Sequence, residues 1–145
     1  MFPTYHTLLL KAQVYRAMNA YATDTLKAYN LTPPEWILMG ILTEKGHAQP
    51  TEIAQYLGVK PPVVTSLLRR LETKKVISRN IQLKDSRFMT VTLTKKGKTV
   101  LKDAEKIMQK DLKLFLGNIS TSTIKSYLKV LQDIAQKLNL KLKDM

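Results

Sequence analysis

The chain has 145 residues, with 24 Lys and Arg against 11 Asp and Glu, for a formal net charge of +13. That length suits one compact domain with an added interface layer, and it excludes a large multidomain enzyme. The absence of cysteine excludes a disulfide scaffold, a thiol redox switch and any Cys-ligated zinc site.

Residues 5–29 read as a long first helix, because Leu8, Leu9, Ala12, Tyr15, Met18, Ala22 and Leu26 recur near helical spacing. Thr32-Pro33-Pro34-Glu35 is a helix start, with Thr32 as N-cap, proline at the first helical position and Glu35 closing a capping box. The helix it opens carries Trp36, Ile37, Met39, Gly40, Ile41 and Leu42 and ends near Lys45-Gly46. A short link, His47-Ala48-Gln49, leads to Pro50, again at a first-turn position, and two helices follow at about 51–57 and 61–75. After Ile77 the pattern turns to period two: Ile77, Arg79, Ile81 and Leu83, then the charged tip Lys84-Asp85-Ser86-Arg87, then Met89, Val91 and Leu93. This is a β-hairpin. Thr94 caps a further helix with a stripe of Leu101, Ala104, Met108, Leu112 and Phe115, which Gly117-Asn118 breaks. The last helix has one apolar face of Ile124, Tyr127, Leu128, Leu131, Ile134, Ala135 and Leu138.

The charge is not evenly spread. Residues 1–59 are neutral in sum, whereas residues 60–98 hold eleven positive side chains against Glu72 and Asp85, +9 of the total. Four of the five arginines lie between 69 and 87. Arginine concentrated in one segment favours a polyanion, since its planar fork matches phosphates and base edges.

The same segment holds a helix-turn-helix pattern. Gly58-Val59-Lys60 is too short for anything but a sharp turn between crossing helices, and Ile53, Ala54, Leu57, Val59, Val64 and Leu67 supply the apolar lock. Ala54 must be small where the helices cross, and Gly58 accepts a left-handed turn without a Cβ clash. The second helix offers Val63, Thr65, Ser66, Arg69 and Arg70 on and beside its polar face, as a reading helix in a major groove needs. A basic hairpin directly after it gives the order of a winged helix.

From Leu31 to Gly97 the chain resembles the MarR (multiple antibiotic resistance regulator) family of bacterial transcription regulators. The resemblance is carried by Leu31-Thr32 with Trp36, Glu52-Ile53-Ala54, Leu57-Gly58-Val59, Val64-Thr65, Arg70-Leu71-Glu72, Asp85-Ser86-Arg87 and Val91-Thr92-Leu93-Thr94-Lys95-Lys96-Gly97. It implies a mainly α fold with a small β-hairpin: a winged helix-turn-helix DNA-binding lobe at 31–97, with dimerisation helices at 1–30 and 98–145. A homodimer would then read double-stranded DNA at a pseudo-palindromic operator. Thr65, Ser66 and Arg69 would meet base edges, with Val63 beside them, and Lys60, Arg70, Lys74, Lys84 and Lys95 would hold the backbone. Arg87 would enter the minor groove, where negative potential attracts arginine, and Asp85 would brace the tip. Leu8, Leu112, Phe115, Leu116, Leu128, Leu131 and Ile134 would line the dimer interface. The resemblance further implies an aromatic or lipophilic effector near His6, Arg16, Trp36 and Met39.

Two positions depart from the family pattern. Lys60-Pro61-Pro62 stands where a serine usually opens the recognition helix, and Lys75 stands where glycine usually follows it. The prolines remove two backbone donors from a phosphate site, a loss that the Lys60 side chain is expected to offset. Lys75 either takes a left-handed turn or shifts the angle of the hairpin.

Enzymatic readings find little support. His6 and His47 are far apart and lack the HExxH spacing of zinc sites, so no metal is expected. Gly97-Lys98-Thr99 looks like the tail of a P-loop, but Thr92 stands where its first glycine belongs. No cofactor is expected. The competing reading keeps the winged helix as a non-specific DNA-packing or protein-interaction module. With no apolar run near the ~18–20 residues of a membrane helix and no signal-peptide pattern, we expect a cytoplasmic protein with no membrane partner.

Overall fold

The computed structural model describes residues 4–81 and 89–140. Helix α1 spans Thr4–Leu26 and runs into one 3-10 turn, Lys27–Tyr29. Then follow α2 (Pro33–Lys45), α3 (Pro50–Leu57), α4 (Pro61–Thr73), strands β1 (Ile77–Ile81) and β2 (Met89–Leu93), α5 (Lys95–Leu116) and α6 (Thr121–Lys137). The fold is mainly α with one antiparallel hairpin, as expected. The tip residues Lys84, Asp85 and Arg87 lie outside the described residues.

Helices α2, α3, α5 and α6 start where the sequence carries a cap. The Glu35 carboxylate accepts the Thr32 N–H at 2.9 Å, and Glu52 accepts the Gln49 N–H at 3.0 Å. Thr94 accepts the Gly97 N–H at 3.0 Å, and Ser120 accepts that of Thr123 at 3.1 Å. Such caps satisfy donors that the first helical turn leaves without partners.

The core lies in the lobe. Leu38, Met39 and Leu42 of α2, Ile53 of α3, and Val64, Leu67, Leu68 and Leu71 of α4 pack with Leu26, Val91 and Ala104. Two turns set the angles between these helices. Gly58 adopts φ +64° after α3, where Val59 N–H donates to the Ala54 carbonyl at 3.1 Å. Lys75 adopts φ +61° after α4, with its N–H on the Glu72 carbonyl and that of Val76 on the Leu71 carbonyl. The latter is the paired hydrogen-bond closure of a Schellman turn. Of the two conformations open to Lys75, the chain takes the left-handed one, and α4 ends at Thr73 rather than Lys75.

The hairpin pairs Ile77 with Leu93, Arg79 with Val91 and Ile81 with Met89. Ala48, expected in a plain link, instead forms a one-residue bridge to Val91, with reciprocal N–H···O bonds of 3.1 and 2.9 Å. It thereby ties the start of α3 to the hairpin. At Gly97 a Cβ would collide with the Val76 carbonyl oxygen, so the closeness of α5 to the base of the hairpin requires glycine there.

The outer helices are different. No residue of α6 is buried, and α1 buries only Ala22 and Leu26. Leu8, Leu112, Phe115, Leu128 and Ile134 are exposed, while Leu116 and Leu131 are half-buried.

Candidate nucleic-acid interface

Helix α4 divides into two faces by its period. Val64, Leu67, Leu68 and Leu71 point into the core, which leaves Val63, Thr65, Ser66 and Arg69 exposed on the other side. The Thr65 hydroxyl donates to the Pro61 carbonyl at 3.2 Å. Its proton is therefore engaged within the helix, and Thr65 offers a partner its lone pairs and methyl group. Those suit an exocyclic base amine or a thymine methyl. Val63 adds a second apolar contact beside it.

At the N-terminal end of α4 the cap residue Lys60 is exposed and makes no side-chain cap bond. Pro61 and Pro62 occupy the first two helical positions, so the backbone donors that a helix N-terminus ordinarily presents are absent there. Lys95, in the first turn of α5, is exposed as well.

Arg70 and Lys74 are placed otherwise than a simple phosphate clamp requires. Both reach Glu35, whose carboxylate has no exposed surface. Arg70 Nε donates to Glu35 Oε1 at 3.0 Å. Lys74 Nζ donates to Glu35 Oε2 at 2.8 Å and to the Asn30 carbonyl at 2.6 Å. Lys74 is thus a structural anchor rather than a free cation. The half-exposed Arg70 keeps its outer guanidinium nitrogens available while its Nε is fixed. Burial pushes the Glu35 carboxyl up, but the Lys74 hydrogen bond, the Thr32 N–H and the charges of Lys74 and Arg70 outweigh it. The carboxyl is held below its ordinary range. A cap residue of α2 therefore fixes the C-terminal half of α4 against α2 and the turn before it.

Sequence reasoning gave Glu35 only its local capping role and missed this clamp. A further anchor holds the hairpin: Arg79 Nε lies 2.8 Å from Glu72 Oε2, an ion pair without hydrogen-bond alignment.

The four residues expected at an effector site are placed differently from one another, and none lines the cleft of this chain. Met39 is completely buried in the core and Trp36 packs against it, whereas His6 and Arg16 are exposed on α1, the His6 ring tilted against that of Tyr5 at a centroid distance of 4.4 Å. Met39 is a packing residue because α2 is apolar on nearly all sides, and its inward face is the one Met39 occupies. A cleft of about 650 Å³ opens elsewhere, between Leu42, Thr43 and Gly46 at the end of α2, Thr92 and Leu93 of β2, and Lys98, Leu101, Lys102 and Glu105 of α5.

Residues 21–104, which take in α2 to β2 and the first half of α5, match the family described as transcriptional regulator SarA/Rot. The chain belongs to the SarA/Rot family of transcriptional regulators. The resemblance to MarR-type proteins has a counterpart in fold: MarR of E. coli superposes with a TM-score of 0.74 at 18% identity, covering 92% of this chain and 97% of that one. The HTH-type transcriptional repressor MdtR of Bacillus subtilis is 32% identical over 74 residues, 51% of this chain and 48% of MdtR. Across the curated relatives the matched stretch spans from 48% to 63% of their length. Among solved structures, the transcriptional regulator BldR of Sulfolobus solfataricus superposes with a TM-score of 0.82 at 23% identity, covering 94% of this chain and 99% of that one. The Staphylococcus aureus MepR–DNA complex gives 0.75 at 22% identity, covering 89% and 94%. These structures share the fold of this SarA/Rot chain throughout its helices.

Proposed function

We propose that this protein is a double-stranded DNA-binding transcription regulator that acts as a homodimer on a pseudo-palindromic operator, in the usual case as a repressor. The observation that carries the reading is the face of α4 formed by Thr65, Ser66 and Arg69, exposed opposite the buried Val64, Leu67, Leu68 and Leu71. Its side chains are those that distinguish base edges in a major groove. Lys60 and the outer nitrogens of Arg70 hold phosphates around that face. On sequence grounds Lys84, Asp85 and Arg87 complete the contact from the hairpin tip.

The dimer follows from the outer helices. A monomer that exposes Leu8, Leu9 and Leu10 on α1, Phe115 on α5 and Leu128 and Ile134 on α6 presents more apolar surface than an isolated soluble domain carries. A second copy packing its segments 1–30 and 98–145 on these faces buries that surface. It also sets two α4 helices at half-sites about one helical turn apart. The relatives' repressor names and the protein–DNA complex of a structural neighbour support this assignment. A small aromatic or lipophilic effector would enter the cleft between α2, β2 and α5, where Leu42, Leu93 and Leu101 stand beside Lys98, Lys102 and Glu105. The protein works in the bacterial cytoplasm.

The test is fluorescence anisotropy with duplexes selected from a random pool and unselected controls, across a salt series, with oligomeric state measured by sedimentation. Selective binding by a dimer, with a salt slope of several counterions, is the expected result. Equal affinity for selected and unselected duplexes would replace operator reading by non-specific packing.

A further inference from the structure

Helix α5 carries a second concentration of positive charge whose chemistry differs from that of α4. At about 100° per residue, Lys95, Lys102, Lys106 and Lys113 fall close to one line along the helix, with Lys98 and Lys110 flanking it. All six are exposed. Among the described residues, none of the ion pairs involves any of them. Of the three acids of α5, Glu105 accepts from Gln109 at 3.0 Å and Asp111 from Thr25 at 3.2 Å, and the exposed Asp103 enters none of the ion pairs among the described residues. Lysines four apart on a helix repel one another, at a cost of a few tenths of a kcal/mol per pair. The succession Lys98, Lys102, Lys106, Lys110 repeats that unfavourable spacing three times.

We propose that this ridge is a sequence-independent docking surface for the backbone of a second DNA duplex, distinct from the one read by α4. The proposal rests on the DNA-binding reading above and extends it to DNA bridging. Three observations identify the occupant. The ridge from Lys95 to Lys113 is about 27 Å long at 1.5 Å per residue, which matches roughly eight base pairs of duplex, with one cation per turn against a regular row of phosphates. It contains no arginine: every arginine precedes Met89, so forked base-reading side chains are confined to the lobe and mobile point charges to α5. Its placement also separates it from the operator. Thr94 and Lys96 tie the start of α5 to Lys74, Lys75 and Val76 at the C-terminal end of α4. The thirteen-residue helix α4 is about 20 Å long, so the start of the ridge lies about that far from Lys60 and Pro61.

The test immobilises a selected duplex of about 20 bp, enough for two half-sites one turn apart, saturates it with the full-length protein and offers a fluorescent duplex of unrelated sequence. The wild type is expected to retain the second duplex. The variant K106Q/K110Q/K113Q, which touches neither the core nor the α4 face, is expected to bind the immobilised duplex with unchanged Kd, which also reports intact folding. Its capture of the second duplex should be about tenfold weaker, with the salt slope of capture reduced by about 2–3. Undiminished capture by the variant would overturn the proposal, as would failure of the wild type to capture. An equal loss of affinity for the immobilised duplex would place the ridge inside the operator footprint and overturn it too. Preferential capture of single-stranded RNA would overturn the duplex assignment. If the immobilised duplex is not bound at all, the operator reading fails by itself, and the ridge is still read by anisotropy of the unrelated duplex against wild type and variant.

Discussion

Helices α4 and α6 are both amphipathic, but their apolar faces end in opposite states. Val64, Leu67, Leu68 and Leu71 of α4 are buried against α2, α3 and the hairpin. Leu128 and Ile134 of α6 are about half exposed, and that helix buries nothing. The lobe therefore has its own core, each buried aliphatic side chain contributing roughly 2 kcal/mol. The outer helices hold their shape through caps and local hydrogen bonds, with their apolar faces open. Patterning within one helix announces that a face will be covered. It does not say by what, because the covering surface can belong to another molecule.

The sharpest way to break this contrast is to make the outer face polar while leaving the lobe alone. The double variant L128E/I134E is expected to sediment as a monomer while its α2–α4 amides keep their hydrogen-exchange protection. Operator affinity should fall at least about 100-fold, because the second half-site loses its tether to the first. If it still sediments as a dimer, the interface lies elsewhere. If lobe protection collapses, the two regions do not fold on separate terms.

A second test acts inside the lobe. Glu35→Ala removes the carboxylate that Arg70, Lys74 and the Thr32 N–H share. We expect a loss of about 2–3 kcal/mol in urea unfolding, less than for a fully buried pair because the half-exposed Arg70 can turn to water. Dimerisation should be unchanged. The clamp also has a pH signature. Because the folded carboxyl is held below its ordinary value, its contribution is complete above the unfolded-chain value near pH 4.3 and is lost as pH falls through the lower folded value. Glu35→Gln should flatten that acid limb of the stability curve, whereas an unchanged limb would assign it to other carboxylates.

The clamp also shows where sequence reading stops. Thr32, Pro33 and Glu35 mark the start of α2 because capping is a matter of three adjacent residues. The meeting of Glu35 with Arg70 and Lys74 joins positions 35 and 39 apart, and no local pattern encodes it. The Ala48 bridge to Val91 was hidden for the same reason. Gly58 was legible, since a tight turn between crossing helices demands a left-handed residue, whereas Lys75 stayed between two conformations until the fold placed it at φ +61°. Met39 was misread because Trp36, Ile37, Leu38, Met39, Ile41 and Leu42 leave α2 apolar nearly all round. Periodicity could not tell that Ile37 faces out and Met39 in. Of the residues that carry the family resemblance, Asp85-Ser86-Arg87 lie outside the described residues, whereas Val91 to Gly97 form the end of β2 and the start of α5.

Reading by α4 is tested with a smaller effect. Arg69→Ala should cost about 1–3 kcal/mol on the selected duplex and much less on unselected DNA, if its fork meets a base. Equal losses on both, measured by anisotropy at one salt concentration, would make it a phosphate contact. Lys60→Ala should lower the salt slope by about 0.9 with little change in discrimination. An unchanged slope would leave the gap at Pro61 and Pro62 without a substitute.

The finest test sits where the lobe hands over to the hairpin. Lys75 holds φ +61° with an exposed side chain, and its backbone closes the Schellman turn of α4. A residue with a Cβ is disfavoured there by roughly 1–2 kcal/mol, while glycine adds unfolded-state freedom costing about 0.5–1 kcal/mol. The difference predicts that Lys75→Gly stabilises the protein by about 0.5 kcal/mol, raising Tm by about 1–2 °C for a chain of this size. A fall in Tm would mean that the Lys75 charge, placed beyond the C-terminal end of α4, contributes more through the helix dipole than the left-handed turn costs. Lys75→Asn separates the two, because asparagine tolerates the same φ without the charge. If Asn matches Gly, the backbone decides the position; if Asn is the less stable of the two and lies below wild type, the charge does.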